Sequence, residues 1–416
     1  MITKSKLIKD NEFLYRDKNL LTILIATTLR GYNLGFMGVF LGVYFYFIGL
    51  SDLKFGIALS CVTLSGAISN LFVYFFKNII SRKQFLIIMS VSSVIGGFIF
   101  LITENYFLIL LASLLSISSI TGGDRTGITS VEIPIISKLV ELKKQTSAYS
   151  VYNFLPMISK IIGTSILLIV PILTSVTELK TKTIYSILLI IYIVISIMQT
   201  LVYKFLDHNI ESKEEKKQTK ISKIKNNESS LIIIITFLFA IDSFGGGFIA
   251  RSFITFWFIK KFSLSEATLS IIFIIAQVLN GLSLVLAPKI AKKIGVLNTM
   301  IFSQLIANGI IIVAALSSNW ILATILYLIK ESFNDLDIPT RQAFMMSIVK
   351  ESNQTQMASI SNLGRTTAHS FSPGIAGYVS SLLGISLSLV FGSTIKVLYS
   401  LILLRFKFST FNKLEN

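Results

Sequence analysis

The chain has 416 residues, of which 53% are hydrophobic and only 14% charged, and its formal net charge is +17. A soluble domain carries roughly a quarter charged residues, so this composition, with a mean hydropathy of +0.75, excludes an ordinary soluble domain. The single cysteine, Cys61, excludes an internal disulfide, and in so apolar a chain the excess of lysine is read as loop charge at a membrane rather than as a nucleic-acid surface.

Residues 1–18 are charged, and the first apolar run is too long for a cleavable signal peptide. A membrane-spanning helix needs about 20 mostly apolar residues. Six stretches meet that length in the first half, at 20–47, 54–76, 84–102, 107–137, 146–173 and 183–203. Six more follow at 231–259, 267–288, 298–316, 321–349, 355–382 and 384–404. The expected fold class is an all-α polytopic membrane protein with twelve transmembrane helices in two pseudo-symmetric six-helix bundles. Residues 1–203 would form the N-terminal bundle and 231–416 the C-terminal bundle. The polar segment 204–230, rich in Lys, Glu, Asn and Ser, reads as a cytoplasmic linker. Several spans exceed the hydrocarbon thickness and must tilt or project.

With the N-terminus placed inside, the inner segments hold 25 Lys and Arg, the outer loops hold 5, and 8 lie within spans. The bias predicts a multi-pass protein of the cell membrane with both termini cytoplasmic.

Two segments repeat. Gln145–Asn153 aligns with Gln354–Asn362 at an offset of 209, and Arg30–Phe36 aligns with Asp242–Phe248 at an offset of 212. Such duplicated bundles usually bind ligand near the bilayer midplane, at the interface of the repeats.

Six plus six spans, a polar central loop and internal repeats resemble the major facilitator superfamily of secondary transporters. That family's signature between spans 2 and 3 reads Gly-x-Leu-Ala-Asp-Arg-x-Gly-Arg-Lys. Here Asn78 stands at the Asp position and Ser81 at the Gly position, while Arg82 and Lys83 remain. The echo between spans 8 and 9 keeps Gly295 but has Lys292 at the acidic position. Asp337–Ala343 and Ser130–Glu132 are similar to matching segments of uncharacterised prokaryotic members. The resemblance implies that spans 1, 4, 7 and 10 line a central cavity, and the richest intramembrane charges fall on those four.

A charge in hydrocarbon costs several kcal/mol by insertion scales, about 2.5–3.5 at a helix centre, so it usually faces a partner or a wet cavity. Arg30 lies ten residues into span 1, about 15 Å deep. Its repeat mate is Asp242, so the two are expected to face one another with opposite charge. Span 4 carries Thr121, Arg125, Ile128 and Glu132 on one helical face. Their mates in span 10 are Lys330, Asn334, Asp337 and Arg341, again one face. Glu132 and Arg341 form a second repeat-related pair, expected to close the cytoplasmic side. Asp124, Glu331 and Asp335 would support these stripes. Lys160 maps to His369. Lys396 is placed at the periphery, Arg251 receives no role, and Arg365 has Pro156 as its mate. Interhelical ion pairs or gate latches would use the same charges. Gly245–Gly247 would allow close packing or hinge span 7.

The leading reading is a secondary active transporter that moves a small charged organic solute, an anion first, by alternating access coupled to protons. Arg30, Asp242, Arg125, Glu132, Lys330, Asn334, Asp337 and Arg341 would bind substrate or couple the ion. A drug exporter, a membrane-embedded enzyme and a channel are the alternatives. Against an enzyme, Asp335-Leu336-Asp337 lies inside a span, and the chain has only His208 and His369. The expected partners are the solute, protons and the lipid bilayer, with no cofactor, metal or nucleic acid, and the chain is expected to be monomeric.

Overall fold

The computed structural model describes residues 17–76, 79–116, 118–120, 126–207, 210, 226–349 and 351–409. In the first half, α1 (Lys18–Phe47), α2 (Asp52–Phe76) and α3 (Arg82–Ile102) are spans 1 to 3. Span 4 consists of α4 (Tyr106–Leu115) and α5 (Gly127–Leu139). Span 5 consists of α6 (Leu142–Ser165), a 3-10 turn (Ile166–Leu168) and α7 (Ile169–Val176); span 6 is α8 (Thr181–Lys204). In the second half, span 7 is α9 (Asn226–Phe248) with α10 (Arg251–Phe262). Spans 8 and 9 are α11 (Glu266–Ile294) and α12 (Val296–Leu316). Span 10 is α13 (Trp320–Asn334) with α14 (Asp337–Ser347), and spans 11 and 12 are α15 (Glu351–Leu383) and α16 (Ile385–Ser409). The twelve spans of an all-α polytopic membrane protein are present. Nine helical segments among the described residues are long and apolar enough to cross a membrane unaided. The remaining three are spans 4 and 10, each divided into short helices, and the polar span 11.

The interruptions follow from sequence. Span 4 breaks over a Ser-rich run after Leu115, where competing side-chain hydrogen bonds disfavour helix. Span 10 breaks at Asp335, whose backbone has left helical geometry (φ −96°, ψ 1°). Pro339 then sits in the first turn of α14, where its missing N–H is tolerated. The break corrects one expectation. Lys330 and Asn334 do not share an unbroken helical face with Asp337 and Arg341.

The chain divides into two compact units, Met1–Tyr44 with Cys61–Gln218, and Phe45–Ser60 with Thr219–Asn416. In the first unit α8 packs along α3. Glycines let α1 approach α6: a Cβ on Gly31 would lie 2.7 Å from Pro156 Cα, and one on Gly35 would fall onto the Lys160 carbonyl. Ser81 caps α3 reciprocally with Gln84, accepting from Gln84 N at 3.1 Å while Ser81 N donates to Gln84 Oε1 at 3.0 Å. The serine that departs from the family signature therefore does the work of a helix cap.

In the second unit α9 lies along α15, and α12 along α16. Residues 45–60 belong to this unit rather than to the first, for local physical reasons. Asp52 accepts from Ser380 Oγ at 2.5 Å and pairs with Lys260. A Cβ on Gly377 would lie 2.8 Å from Gly56 Cα, and Phe55 stacks on Phe256 at 4.0 Å between centroids.

Candidate functional site

The first unit holds a closed network around Glu132, which α5 places in a site where its side chain has no solvent exposure. Arg30 from α1 donates through Nη2 to Glu132 Oε2 at 2.6 Å and to Thr27 Oγ1 at 3.1 Å. Tyr152 of α6 donates its hydroxyl to Glu132 Oε2 at 2.7 Å, and Tyr203 of α8 donates to Oε1 at 2.7 Å. The same two hydroxyls accept from Arg30, at 3.2 Å and 3.1 Å. Gln199 Nε2 reaches Tyr203 at 3.4 Å. Both carboxylate oxygens are satisfied, which is the condition under which a buried ion pair is tolerated.

The second unit centres on Asp242 of α9. Lys396 Nζ from α16 donates to its Oδ1 at 2.6 Å, and Arg341 Nη1 from α14 lies 3.5 Å from its Oδ2. The same Arg341 nitrogen donates to Asp337 Oδ2 at 2.6 Å, one turn back on α14. Arg341 also lies over the Phe239 ring, 6.0 Å from its centroid. All four ionic groups are buried. Two carboxylates thus meet two cations directly, with the long Arg341–Asp242 contact as the weakest member, and the charge of Arg365 also acts on Asp242.

These are one constellation drawn twice. Arg30 and Asp242 are repeat mates, as are Glu132 and Arg341, so the helix 1–helix 4 pair recurs as a helix 7–helix 10 pair with its charges exchanged. Thr27 corresponds to Phe239, and the last span of each unit adds a buried tyrosine: Tyr203 at Glu132, and Tyr399 beside Asp242 and Arg341. The copies differ in how the carboxylate is sealed. Tyr152, which seals Glu132, corresponds to Ser361, whose buried hydroxyl has no partner.

The structure therefore pairs the expected residues differently from the sequence reading. Within the first unit Arg30 pairs with Glu132, and within the second Arg341 pairs with Asp337 and Asp242. Lys396 is not peripheral: its ammonium is buried against Asp242, where the missing counter-charge of that carboxylate requires it. Lys330 pairs with its neighbour Glu331 at 2.7 Å, and Asn334 donates to Asp335 Oδ1 at 2.8 Å. Arg125, with Thr121 and Asp124, lies outside the described residues. His369 is buried and Lys160 half-buried, each with interaction partners. Sequence reasoning missed Tyr152, Tyr203 and Lys396. Neither repeat offset carries Tyr203 onto Tyr399, so the repeat gave no signal for them. Of the three central glycines, Gly245 packs on Gly392 and Lys396, Gly247 packs on Ser372, and Gly246 faces open space. Arg82 and Lys83, the surviving signature residues, donate to the carbonyls of Ile210 at 3.2 Å and Leu206 at 2.6 Å, beyond the end of α8.

The sequence profile of the Major Facilitator Superfamily matches residues 23–334. An uncharacterized membrane protein of Saccharomyces cerevisiae is 20% identical over 400 residues, 88% of each chain. Among solved structures, a variant of the nucleoside transporter NupG superposes with a TM-score of 0.74 at 15% identity, covering 92% of this chain and 98% of that one. A D-xylose–proton symporter gives 0.71 at 13% identity, covering 93% and 98%. The chain belongs to the Major Facilitator Superfamily. It is a multi-pass membrane protein with secondary transporter activity, and not an enzyme.

Proposed function

We propose that this transporter moves a small charged organic solute, an anion in the simplest case, by alternating access coupled to protons, with Asp242 as the proton site. One observation carries the reading: Asp242 is buried between Lys396 and Arg341, and Arg341 is shared with Asp337. Protonating Asp242 removes the counter-charge of Lys396 and loosens Arg341. Two buried cations then need an acceptor, and a solute carboxylate or phosphate supplies one, with the guanidinium suited to two-pronged contact. When the proton leaves, the carboxylate reclaims both cations and the solute is released. The unpartnered Ser361 hydroxyl fits this assignment, because the second unit lacks the tyrosine that seals Glu132 in the first. On this reading Arg30 and Glu132 hold the first unit together, and the second unit carries the chemistry. Proton coupling in a protein of similar fold, the D-xylose–proton symporter, is consistent with it. The lysine bias of the loops supports a cell-membrane protein with both termini inside.

The test uses purified protein in proteoliposomes with a panel of radiolabelled small organic anions. An imposed pH gradient drives accumulation, and a protonophore collapses it. Accumulation that ignores the gradient moves the reading to a uniporter or exchanger. Flux confined to neutral lipophilic compounds moves it to a drug exporter.

A further inference from the structure

A second polar cluster lies in the same unit, on α10, α11 and α13, apart from Asp242. Lys330 and Glu331 form an ion pair there at 2.7 Å, both more than nine-tenths buried. Tyr327 is buried beside them, its ring centroid 5.7 Å from Lys330 Nζ. Arg251 from α10 and Asn280 from α11 act on the same Glu331 carboxylate. Two buried atoms here have no partner: Arg251 Nη1, a donor, and Asn280 Oδ1, an acceptor. Leaving either unsatisfied is costly, and doubly so for a charged donor.

Backbone geometry points the same way. Span 7 breaks at Ile249–Ala250, so α10 begins at Arg251. The first amides of that helix lack intrahelical acceptors, and its positive dipole end lies there, the arrangement that broken transmembrane helices present to anionic groups. One turn beyond Asp242, Gly246 faces open space: a Cβ there would meet nothing within 4 Å. From Asp242 to Arg251 the chain rises about 13 Å past that space.

We propose that Arg251, with Asn280 and the Lys330–Glu331 pair, forms a second anion subsite, for a carboxylate of the transported solute other than the anionic group that Lys396 and Arg341 take up, and that this solute carries a hydrogen-bond donor, hydroxyl or ammonium, on the carbon adjoining that carboxylate. The inference rests on the reading of this chain as a carrier of small charged organic solutes. Arg251 Nη1 donates to the carboxylate, and Asn280 Oδ1 accepts from the donor group. The cations Arg251 and Lys330 stand against Glu331, so the cluster admits a zwitterion as well as a hydroxy acid.

The test is isothermal titration of the full chain in nanodiscs with L-lactate, L-alanine and propionate. These three-carbon carboxylates bear a hydroxyl, an ammonium and neither group. Lactate or alanine binds about tenfold or more tighter than propionate, and the preferred one identifies the donor. Arg251→Gln weakens that binding about tenfold or more, while Arg251→Lys recovers part of it. Asn280→Leu erases the ratio between the preferred acid and propionate, a change in selectivity that a general loss of structure would not produce. Binding of none of the three overturns the subsite. So does propionate binding as tightly as the others, or an Arg251→Gln protein with wild-type affinity. No gradient is present in the titration, so failure of proton coupling leaves its result intact. Conversely, proton-driven accumulation by Arg251→Gln liposomes with unchanged KM removes the subsite and keeps the transport reading.

Discussion

Arg30 donates to Glu132 at 2.6 Å in a site where the carboxylate side chain is wholly shielded from solvent. The pair occupies the positions that Asp242 and Arg341 occupy in the second unit, with the charges reversed. Duplication has kept the contact between the first and fourth spans of each half while exchanging which span supplies the acid. The first copy is sealed by two tyrosines; the second recruits Lys396 and Asp337 and leaves Ser361 unpartnered.

Breaking the sealed pair should be expensive. Glu132→Ala strands Arg30 and lowers unfolding stability by about 3–5 kcal/mol, as does Arg30→Ala. The exchange Arg30→Asp with Glu132→Arg, which copies the polarity of the second unit, recovers more stability than either half of it alone. Denaturation of the reconstituted protein measures the cycle. Additive losses in the exchange would contradict the assigned contact.

Tyr203→Phe and Tyr152→Phe each remove one hydroxyl from Glu132 and should each cost about 1–3 kcal/mol. The double variant exceeds either single change. On the proposed reading, in which this network holds the bundle rather than the solute, solute binding stays within about twofold of wild type in both single variants; RT ln 2 is a fraction of a kcal/mol.

Much of this architecture is legible in the sequence, and the reasons for the remainder are specific. The twelve spans and the duplication follow from apolar run length and the two repeated segments. The pairing of the charges does not. Repeat-related residues read as a cross-half pair because matched positions with opposite sign invite that inference. Within each unit the contact is between spans 1 and 4, or 7 and 10, and nothing in linear spacing announces it. Lys396 was misplaced because a lone lysine in an apolar run has the same appearance whether it snorkels or meets a buried acid. The stripe from Lys330 to Arg341 assumed an unbroken helix, and Asp335 interrupts it.

The glycines divide into packing and open positions, and substitution should separate them. Gly35→Val forces a side chain onto the Lys160 carbonyl and Gly247→Val forces one onto Ser372, so both destabilise the protein or abolish folding. Gly246→Ala meets nothing within 4 Å and leaves thermal stability close to wild type. Equal losses at all three sites, measured by melting temperature, would refute the distinction.

Lys396→Met should raise the KM for solute by about tenfold or more, since it deletes one of the two cations freed when Asp242 is protonated. Lys396→Arg keeps the charge and most of the affinity. A methionine variant with unchanged KM and kcat would return Lys396 to the peripheral place that sequence alone gave it.

The central claim is that Asp242 is the proton site, and Asp242→Asn in proteoliposomes addresses it most directly. Asparagine keeps the size of the side chain and cannot take up a proton. Wild-type protein should concentrate an organic anion when a pH gradient is imposed. The variant should give no accumulation beyond equilibrium, while still exchanging internal for external solute in the absence of a gradient. Gradient-driven accumulation by Asp242→Asn at the wild-type level would contradict the account.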